Sequence, residues 1–226
     1  MKPAPGPGYT TRRQQVAVAG GEPLEIRALS DGQQYSDPRG EAATAGISSA
    51  AWPLFGQVWP SAQKLADLMQ DWNLGASRVL ELGCGLGLAS LVVHRRGGDI
   101  TASDCHPLTE SFLLANLALN HLPAMKYRTG NWTTPNPQLG LFDLVIGSDV
   151  LYEPAQAGQV ADFIECHTPH AAQALIIDPD RGNRSAFRRC MDRLGFTLTE
   201  TRLVADLHDG SRYRGRLLHY RRGAIQ

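Results

Sequence analysis

No stretch of this sequence approaches the roughly 20 consecutive apolar residues needed to cross a bilayer, and its proline- and glycine-rich start lacks the apolar core of a secretory leader. The expectation is a cytoplasmic chain with no membrane segment. Net charge is missing too: 22 Lys and Arg balance 22 Asp and Glu, so no global field draws the chain to nucleic acid or an anionic surface. Lysine is scarce, since Lys2, Lys64 and Lys126 leave 19 arginines among the 22 basic residues, and a local cluster of arginines therefore carries little information by itself. Cysteine is limited to Cys84, Cys105, Cys166 and Cys190, with no Cys-x-x-Cys pair. Cys105-His106 and Cys166-His167 invite a metal reading, but neighbours in a strand point to opposite faces and neither pair has a second half at zinc spacing. The four are read as reduced thiols, and no metal is expected. What remains, 226 residues with 42% hydrophobic content, suffices for one soluble domain with a substantial core.

The most informative feature that is present runs from Val79 to Ser90, where Gly83, Gly85 and Gly87 follow directly behind an apolar run. It reads as a strand, a tight turn and a helix start. Glycine lets the backbone turn sharply and approach a ligand with no Cβ in the way, and the first N–H groups of the helix point at that ligand. The dinucleotide fingerprint asks for Gly-x-Gly-x-x-Gly/Ala, but counted from Gly83 the sixth position is Leu88 and the third glycine arrives one residue early, which argues against NAD. Neither Lys64 nor Lys126 lies where a phosphate-binding loop would need it. A second acid sharpens the reading: the run Asp99–Ser103 ends in Asp104, a little over twenty residues past Glu81, where a carboxylate at the tip of the next strand can accept hydrogen bonds from ribose hydroxyls. The plainer alternative is a turn that merely links strand to helix.

Along the chain, residues 1–11 are expected to be mobile, 14–18 and 24–28 to form a hairpin, and 30–49 to form a loop. A helix is expected over 61–72, with Leu65, Leu68 and Met69 on one face. From residue 78 strands and helices alternate: strands 79–82, 100–103, 125–129, 142–147 and 174–178, and helices ending at Arg96, over 108–120, 155–166 and 184–194. Two final strands, 196–204 and 213–221, have no helix between them. The alternation predicts an α/β fold, a mostly parallel sheet covered by helices on both faces, with an antiparallel hairpin at one edge. Residues 1–51 form an N-terminal extension and 52–226 the principal domain.

Several motifs occur in one order: Val58-Trp59-Pro60, the glycine run with Glu81 before it, Ser103-Asp104, Asn131-Trp132, and Phe142–Pro154 containing Asp149-Val-Leu-Tyr152. Together they resemble the small seven-β-strand, class I protein-lysine methyltransferases that use S-adenosylmethionine, with which nicotinamide N-methyltransferase-like bacterial proteins are grouped. The likeness covers roughly Phe55 to Arg221 and implies a Rossmann-like, seven-stranded fold. It implies that Trp59 packs by the methionine or adenosine end of the cofactor, that Gly83 and Gly85 contact its amino-acid portion, that Asp104 holds the ribose, that Trp132 flanks the adenine and that Ser148 lines the pocket by its backbone. Glu81, Cys84 and Gly87 complete the implied cofactor set. The tetrad Asp149–Tyr152 is implied to line the methyl-acceptor site, with Asp149 and Tyr152 as the catalytic pair. One departure is Asp178-Pro-Asp-Arg-Gly-Asn-Arg184, closer to a pattern in bacterial relatives of the electron-transfer-flavoprotein lysine methyltransferases.

Plainer roles stand beside these. Trp59 fits an ordinary core, Asp149 fits a cap for the helix beginning near Pro154, Tyr152 fits half-buried packing, and Glu153 fits a first-turn helix acid. Arg212, Arg214, Arg216, Arg221 and Arg222 fit a solvated edge better than a docking patch for an acidic protein or RNA. The leading function is methylation of a protein lysine by a monomer. A small-molecule N-methyltransferase of nicotinamide type and a non-catalytic S-adenosylmethionine-binding scaffold are the alternatives, while RNA methylation is opposed by the zero net charge and by the lack of an Asn-Pro-Pro-Tyr-like motif.

Overall fold

The computed structural model describes residues 8–134, 136–207 and 212–223. The chain opens with strands β1 (Thr11–Val16) and β2 (Leu24–Leu29), a short helix α1 (Glu41–Thr44), a 3-10 turn (Trp52–Gly56) and helix α2 (Pro60–Asp71). There follow β3 (Arg78–Leu82), α3 (Leu88–Arg95), β4 (Asp99–Asp104), α4 (Thr109–Leu119), β5 (Lys126–Thr129), β6 (Leu144–Ser148), α5 (Gln156–Cys166), β7 (Ala172–Asp178), α6 (Arg184–Arg193), β8 (Thr197–Asp206) and β9 (Arg212–Arg222). The larger sheet has seven strands in the order β5-β4-β3-β6-β7-β9-β8. β3 to β7 run parallel, while β9 lies antiparallel between β7 and β8. After β3 the chain builds outward through β4 and β5, then returns to lay β6 on the other side of β3. That reversal opens a crevice beyond the carboxyl ends of β3 and β6, where α/β sheets bind ligands.

Alternation along the inner strands sorts side chains onto two faces. Val79, Leu144, Ile146, Leu175 and Ile177 join one buried cluster with α2, α3 and α4. Leu80, Leu82, Val145, Ala174 and Ile176 join a second with α5 and α6. Because both faces are covered, these strands read as nearly continuous apolar runs. Helix α6 shows the opposite pattern: only Phe187 and Met191, one turn apart, are buried, and Phe187 meets Tyr220 of β9 edge-on at 5.3 Å.

The N-terminal hairpin does not stand apart. Leu24, Ile26, Ala28 and Leu29 are buried in the α2–α3–α4 cluster. Two asparagines one turn apart, Asn116 on α4 and Asn120 at its C-cap, hold the edge of β2: the Arg27 N–H donates to Asn116 Oδ1 at 2.7 Å, the Glu25 N–H donates to Asn120 Oδ1 at 3.0 Å, and Asn120 Nδ2 donates to the Glu25 carbonyl at 2.8 Å. Without them this edge would expose unpaired backbone groups.

Three expectations need correction. Residues 1–7 lie outside the described residues, but Tyr9 and Thr10 are fixed rather than mobile: Tyr9 packs 5.8 Å from Trp52, and the Thr10 N–H donates to Gln34 Oε1 at 2.6 Å. The polar segment 30–49 contains α1, begun by Asp37, whose two carboxylate oxygens accept from the Ala42 and Ala43 N–H groups at 3.1 and 2.9 Å. Of the C-terminal arginines, Arg222 is not on a solvated edge. It is 8% exposed, donates to the carbonyls of Pro169, His170 and Leu194, and pairs with Glu165. Other boundaries shift by one to three residues; α2 begins at Pro60, a residue suited to the first helical position because its missing N–H has no partner there.

Shared burial predicts that the hairpin and the sheet unfold as one cooperative unit. Leu24→Ala, at a position with no exposure, is expected to lower stability by roughly 2–5 kcal/mol. Circular dichroism and tryptophan fluorescence should report a single shifted unfolding transition; two separate transitions would show that hairpin and sheet unfold independently.

Candidate functional site

The turn after β3 is built from left-handed backbone. Gly83, Gly85 and Gly87 have φ of 61°, 51° and 74°. A Cβ on Gly85 would lie 2.9 Å from the Phe55 carbonyl oxygen, and one on Gly83 would lie 3.0 Å from Trp132 Cζ2, so both conformation and space demand glycine. Two backbone bonds pin the turn: the Cys84 N–H donates to the Ser103 carbonyl at 3.0 Å and the Gly87 N–H to the Cys84 carbonyl at 2.7 Å. Asn116, which holds β2, also donates to the Leu86 carbonyl at 3.2 Å.

Two buried acids flank the turn and do different work. Asp104, 8% exposed at the tip of β4, accepts from the Gly85 N–H at 2.9 Å and from the His106 N–H at 2.8 Å. Burial pushes its carboxyl up from the ordinary range, and the backbone donors pull it back. Glu81 alternates onto the α3 side of β3 with Val79. Its Oε2 accepts from the Ser90 N–H at 2.8 Å and from the Ser90 hydroxyl. Burial lifts the Glu81 carboxyl to about 7 against those hydrogen bonds, with the nearby Asp104 adding to the rise.

A cleft of about 740 Å³ opens above the turn, within the range of small-molecule sites. Gly83, Cys84, Gly85 and Asp104 line it, as do Trp59, Trp132, Ser148, Asp149 and Tyr152. The structure thus gathers nine of the eleven residues singled out from the sequence. Glu81 and Gly87 stay outside the lining. Glu81 is 2% exposed and holds the first turn of α3 through Ser90, while Gly87 starts α3 and allows close packing, since a Cβ there would lie 2.6 Å from Leu113 Cδ1.

The plainer alternatives can be sorted on the same geometry. Trp59 is half-buried, with its Nε1 donating to the Leu54 carbonyl at 2.7 Å, whereas Trp52, 1% exposed, is the tryptophan of the core. Tyr152 is 42% exposed, too open for core packing. Asp149 does not cap α5, which begins beyond Ala155 without a side-chain cap. Its carboxylate is instead gripped by Arg181, with Nε and Nη2 donating at 2.7 and 2.8 Å.

Sequence reasoning passed over four contributors. His106 stacks on Phe55 with ring centroids 3.7 Å apart, and both line the cleft. Its Nδ1 accepts from the Leu108 N–H at 3.2 Å, and burial lowers its pKa to about 4, against the pull of Asp37, so the ring is neutral at pH 7. The segment 45–48 forms part of the wall although it reads as polar loop. Arg181 lay inside the unusual segment 178–184, which hinted at a difference without giving it a role.

Fold and cleft together define a class I methyltransferase. Residues 48–185 match the lysine methyltransferase family, and the chain belongs to that family. Among curated relatives, the electron transfer flavoprotein beta subunit lysine methyltransferase of Danio rerio is 30% identical over 148 residues, covering 63% of this chain and 57% of that protein. The chain therefore spans little more than half of that relative's length. EEF1A lysine methyltransferase 3 of Mus musculus is 27% identical, covering 75% of this chain and 78% of the relative. Among solved structures, magnesium protoporphyrin IX methyltransferase from Synechocystis PCC 6803 with bound SAM superposes with a TM-score of 0.55 at 20% identity, covering 74% of this chain and 86% of that one. The cofactor of such a methyltransferase is S-adenosylmethionine. The cleft fits it: a side-chain-free floor at Gly83 and Gly85, a buried carboxylate at the tip of β4, and indole walls for a flat ring.

Two consequences can be measured. A Glu81 carboxyl at about 7 in the fold, against 4.5 for the free group, stays protonated while the unfolded chain ionises. Its contribution is therefore complete below about pH 4.5 and is lost as pH rises to about 7, a change of roughly 3 kcal/mol. Glu81→Gln keeps an acceptor for Ser90 and removes the ionisation, so its stability should fall less over that interval than the wild type's in urea titrations; parallel profiles would refute the buried-acid assignment. Trp132→Leu keeps an apolar residue and deletes the indole face. Affinity for S-adenosylhomocysteine should drop by calorimetry while the circular dichroism spectrum persists; loss of the fold would make Trp132 a core residue.

Proposed function

We propose that this chain transfers the methyl group of S-adenosylmethionine to the side-chain nitrogen of a lysine in a protein substrate. One observation carries the reading: Asp149 and Tyr152, just past the tip of β6, line the same cleft as Gly83, Gly85 and Asp104, so a carboxylate and an aromatic ring stand beside the cofactor seat. The family, and relatives named for lysine methylation of proteins, support a protein acceptor. We take residues 52–226 as the transferase domain and 1–51 as an extension, part of which walls the cleft. The four free thiols support a cytoplasmic setting. The zero net charge supports a protein rather than a nucleic-acid partner, and we take the active form to be a monomer.

When bound, the cofactor supplies a sulfonium methyl open to in-line displacement. In this reading Gly83 and Gly85 meet its amino-acid end, Asp104 accepts from the ribose hydroxyls, Trp132 flanks the adenine, Trp59 packs along the methionine or adenosine end, and the Ser148 backbone completes the wall. Cys84 touches the cofactor within the turn. No strong nucleophile is needed from the protein. Alignment in a water-poor cleft supplies several kcal/mol. The incoming ammonium, with a reference pKa of about 10.4, must pass a proton to solvent water before its nitrogen can attack, and desolvation favours that loss while the charge of Asp149 opposes it. Asp149 attracts the ammonium and orients the amine, and the Tyr152 ring offers a face suited to a methylated cation.

The wild type incubated with labelled S-adenosylmethionine and a cell lysate is expected to label protein; label confined to small molecules would replace this reading with the nicotinamide-type one. Asp149→Asn tests the site directly. Asparagine tolerates the φ of 52° at this position, and a partly exposed ion pair adds only about 0–1 kcal/mol to stability. Melting temperature and S-adenosylhomocysteine affinity should therefore change little. Transfer to protein should fall more than a hundredfold, roughly a 3 kcal/mol loss of transition-state stabilisation. Unchanged turnover per folded molecule would remove Asp149 from the acceptor site.

A further inference from the structure

The Asp149–Arg181 pair is asymmetric. The carboxylate side chain is 13% exposed and the guanidinium 44% exposed, so the anion is the enclosed partner and the cation the one that can withdraw into water. Both Arg181 donors go to the two oxygens of Asp149, at 2.7 and 2.8 Å, a bidentate fork that fixes the geometry of the pair. Among the described residues Arg181 is the one arginine or lysine lining the cleft, against Asp104, Asp149 and Glu153.

Other charges nearby are committed elsewhere. Arg184 pairs with Asp180 and Glu200, and Arg216 pairs with the same two acids. Asp178, at the end of β7, is fully buried; its Oδ1 accepts from the Asp180 N–H at 2.8 Å and its Oδ2 has no partner among the described residues. Asp178 is close enough to Asp149 for the two carboxylates to feel each other's charge, and both attract the Arg181 guanidinium. Arg181 is thus the cation paired with Asp149 at this end of the cleft, while Asp178 behind it also faces Arg184. Withdrawing Arg181 leaves an enclosed carboxylate unpaired beside another, a costly state unless a second cation arrives. Asp180 and Gly182, on either side of Arg181, are both left-handed at φ 71° and 90°, so Arg181 sits at a tight corner of the chain.

We propose that Arg181 is a specificity-determining residue that holds the acceptor seat as an internal competitor, so that only a cationic acceptor able to displace it from Asp149 is admitted. The inference rests on the assignment of Asp149 to the acceptor ammonium. A neutral side chain of the same length cannot compensate Asp149 and leaves the Arg181 pair closed. A lysine ammonium replaces one cation by another and keeps the charge balance.

The test uses the full chain loaded with S-adenosylhomocysteine and two probes, Nα-acetyl-lysine N-methylamide and the neutral Nα-acetyl-norleucine N-methylamide, which keeps the four-carbon stem and lacks only the ammonium group, followed by calorimetry. Arg181→Ala and Arg181→Gln are expected to bind the lysine probe at least tenfold more tightly than the wild type, with the norleucine probe unaffected. Equal or weaker binding of the lysine probe by both variants, or no detectable binding by wild type and variants alike, overturns the competitor role. A fall in S-adenosylhomocysteine affinity in both variants also overturns it, because the guanidinium would then serve the cofactor. Asp149→Asn reports separately on the underlying assignment: wild-type affinity for the lysine probe in that variant would show that Asp149 is not the ammonium seat, whatever Arg181 does.

Discussion

The site depends on one enclosed carboxylate bonded to backbone. Asp104 stands at the end of β4, and by accepting from the N–H groups of Gly85 and His106 it ties the glycine turn on one strand to the exit loop of the next. The Gly130 N–H donates to its carbonyl oxygen at 3.0 Å, which adds the end of β5 to the same node. Three strand ends are thereby fixed relative to one another. A carboxylate oxygen has more than one lone pair, so Asp104 can hold the turn and still accept from a ligand hydroxyl. Substitutions there must disturb the turn as well as the cleft lining, which separates this residue from a side chain that merely faces the cleft.

Glu81 shows how a second acid of similar sequence prominence takes a different role. Parity along β3 decides it: Glu81 shares a face with Val79 and looks toward α3, so its partner is Ser90. Both acids are enclosed, and burial raises the carboxyl pKa of each, with Asp104 adding to the rise at Glu81. Helix α3 is started by Gly87 and anchored by Glu81, while α4 supplies Asn116 to both the turn and the N-terminal hairpin. The floor of the cleft is thus continuous with the core that the hairpin helps to close, and a change in the extension reaches the cleft through packed side chains.

Charge around Asp149 follows from geometry more than from composition. Nineteen arginines scattered through a neutral chain carry no message in sequence. The fold gives Arg222 a buried scaffolding role, locks Arg184 and Arg216 into one network with Asp180 and Glu200, and sets Arg181 against Asp149 at the cleft. Guanidinium suits all three settings because its fork of donors satisfies several oxygens at once.

Local chemistry is what the sequence by itself determined. The strand, turn and helix around Val79–Ser90 were legible because three closely spaced glycines behind an apolar run leave few other conformations, and the parallel direction of the strands, though not their order in the sheet, followed from their alternation with helices. Nine of the eleven chosen site residues reach the cleft, all of them on or next to strand ends, turns or unusual aromatics, where residue type and position report on ligand contact. What the sequence could not specify was pairing across distance. That Glu81 looks to Ser90 rather than to the cleft, that the polar segment 45–48 becomes its wall, and that His106 stacks on Phe55 were settled only when the sheet and its helices packed. The Asp149–Arg181 pair, 32 residues apart in the chain, belongs with them: β6 and β7 must lie side by side before their end loops can meet, and an ion pair between loops leaves no periodic trace in either one.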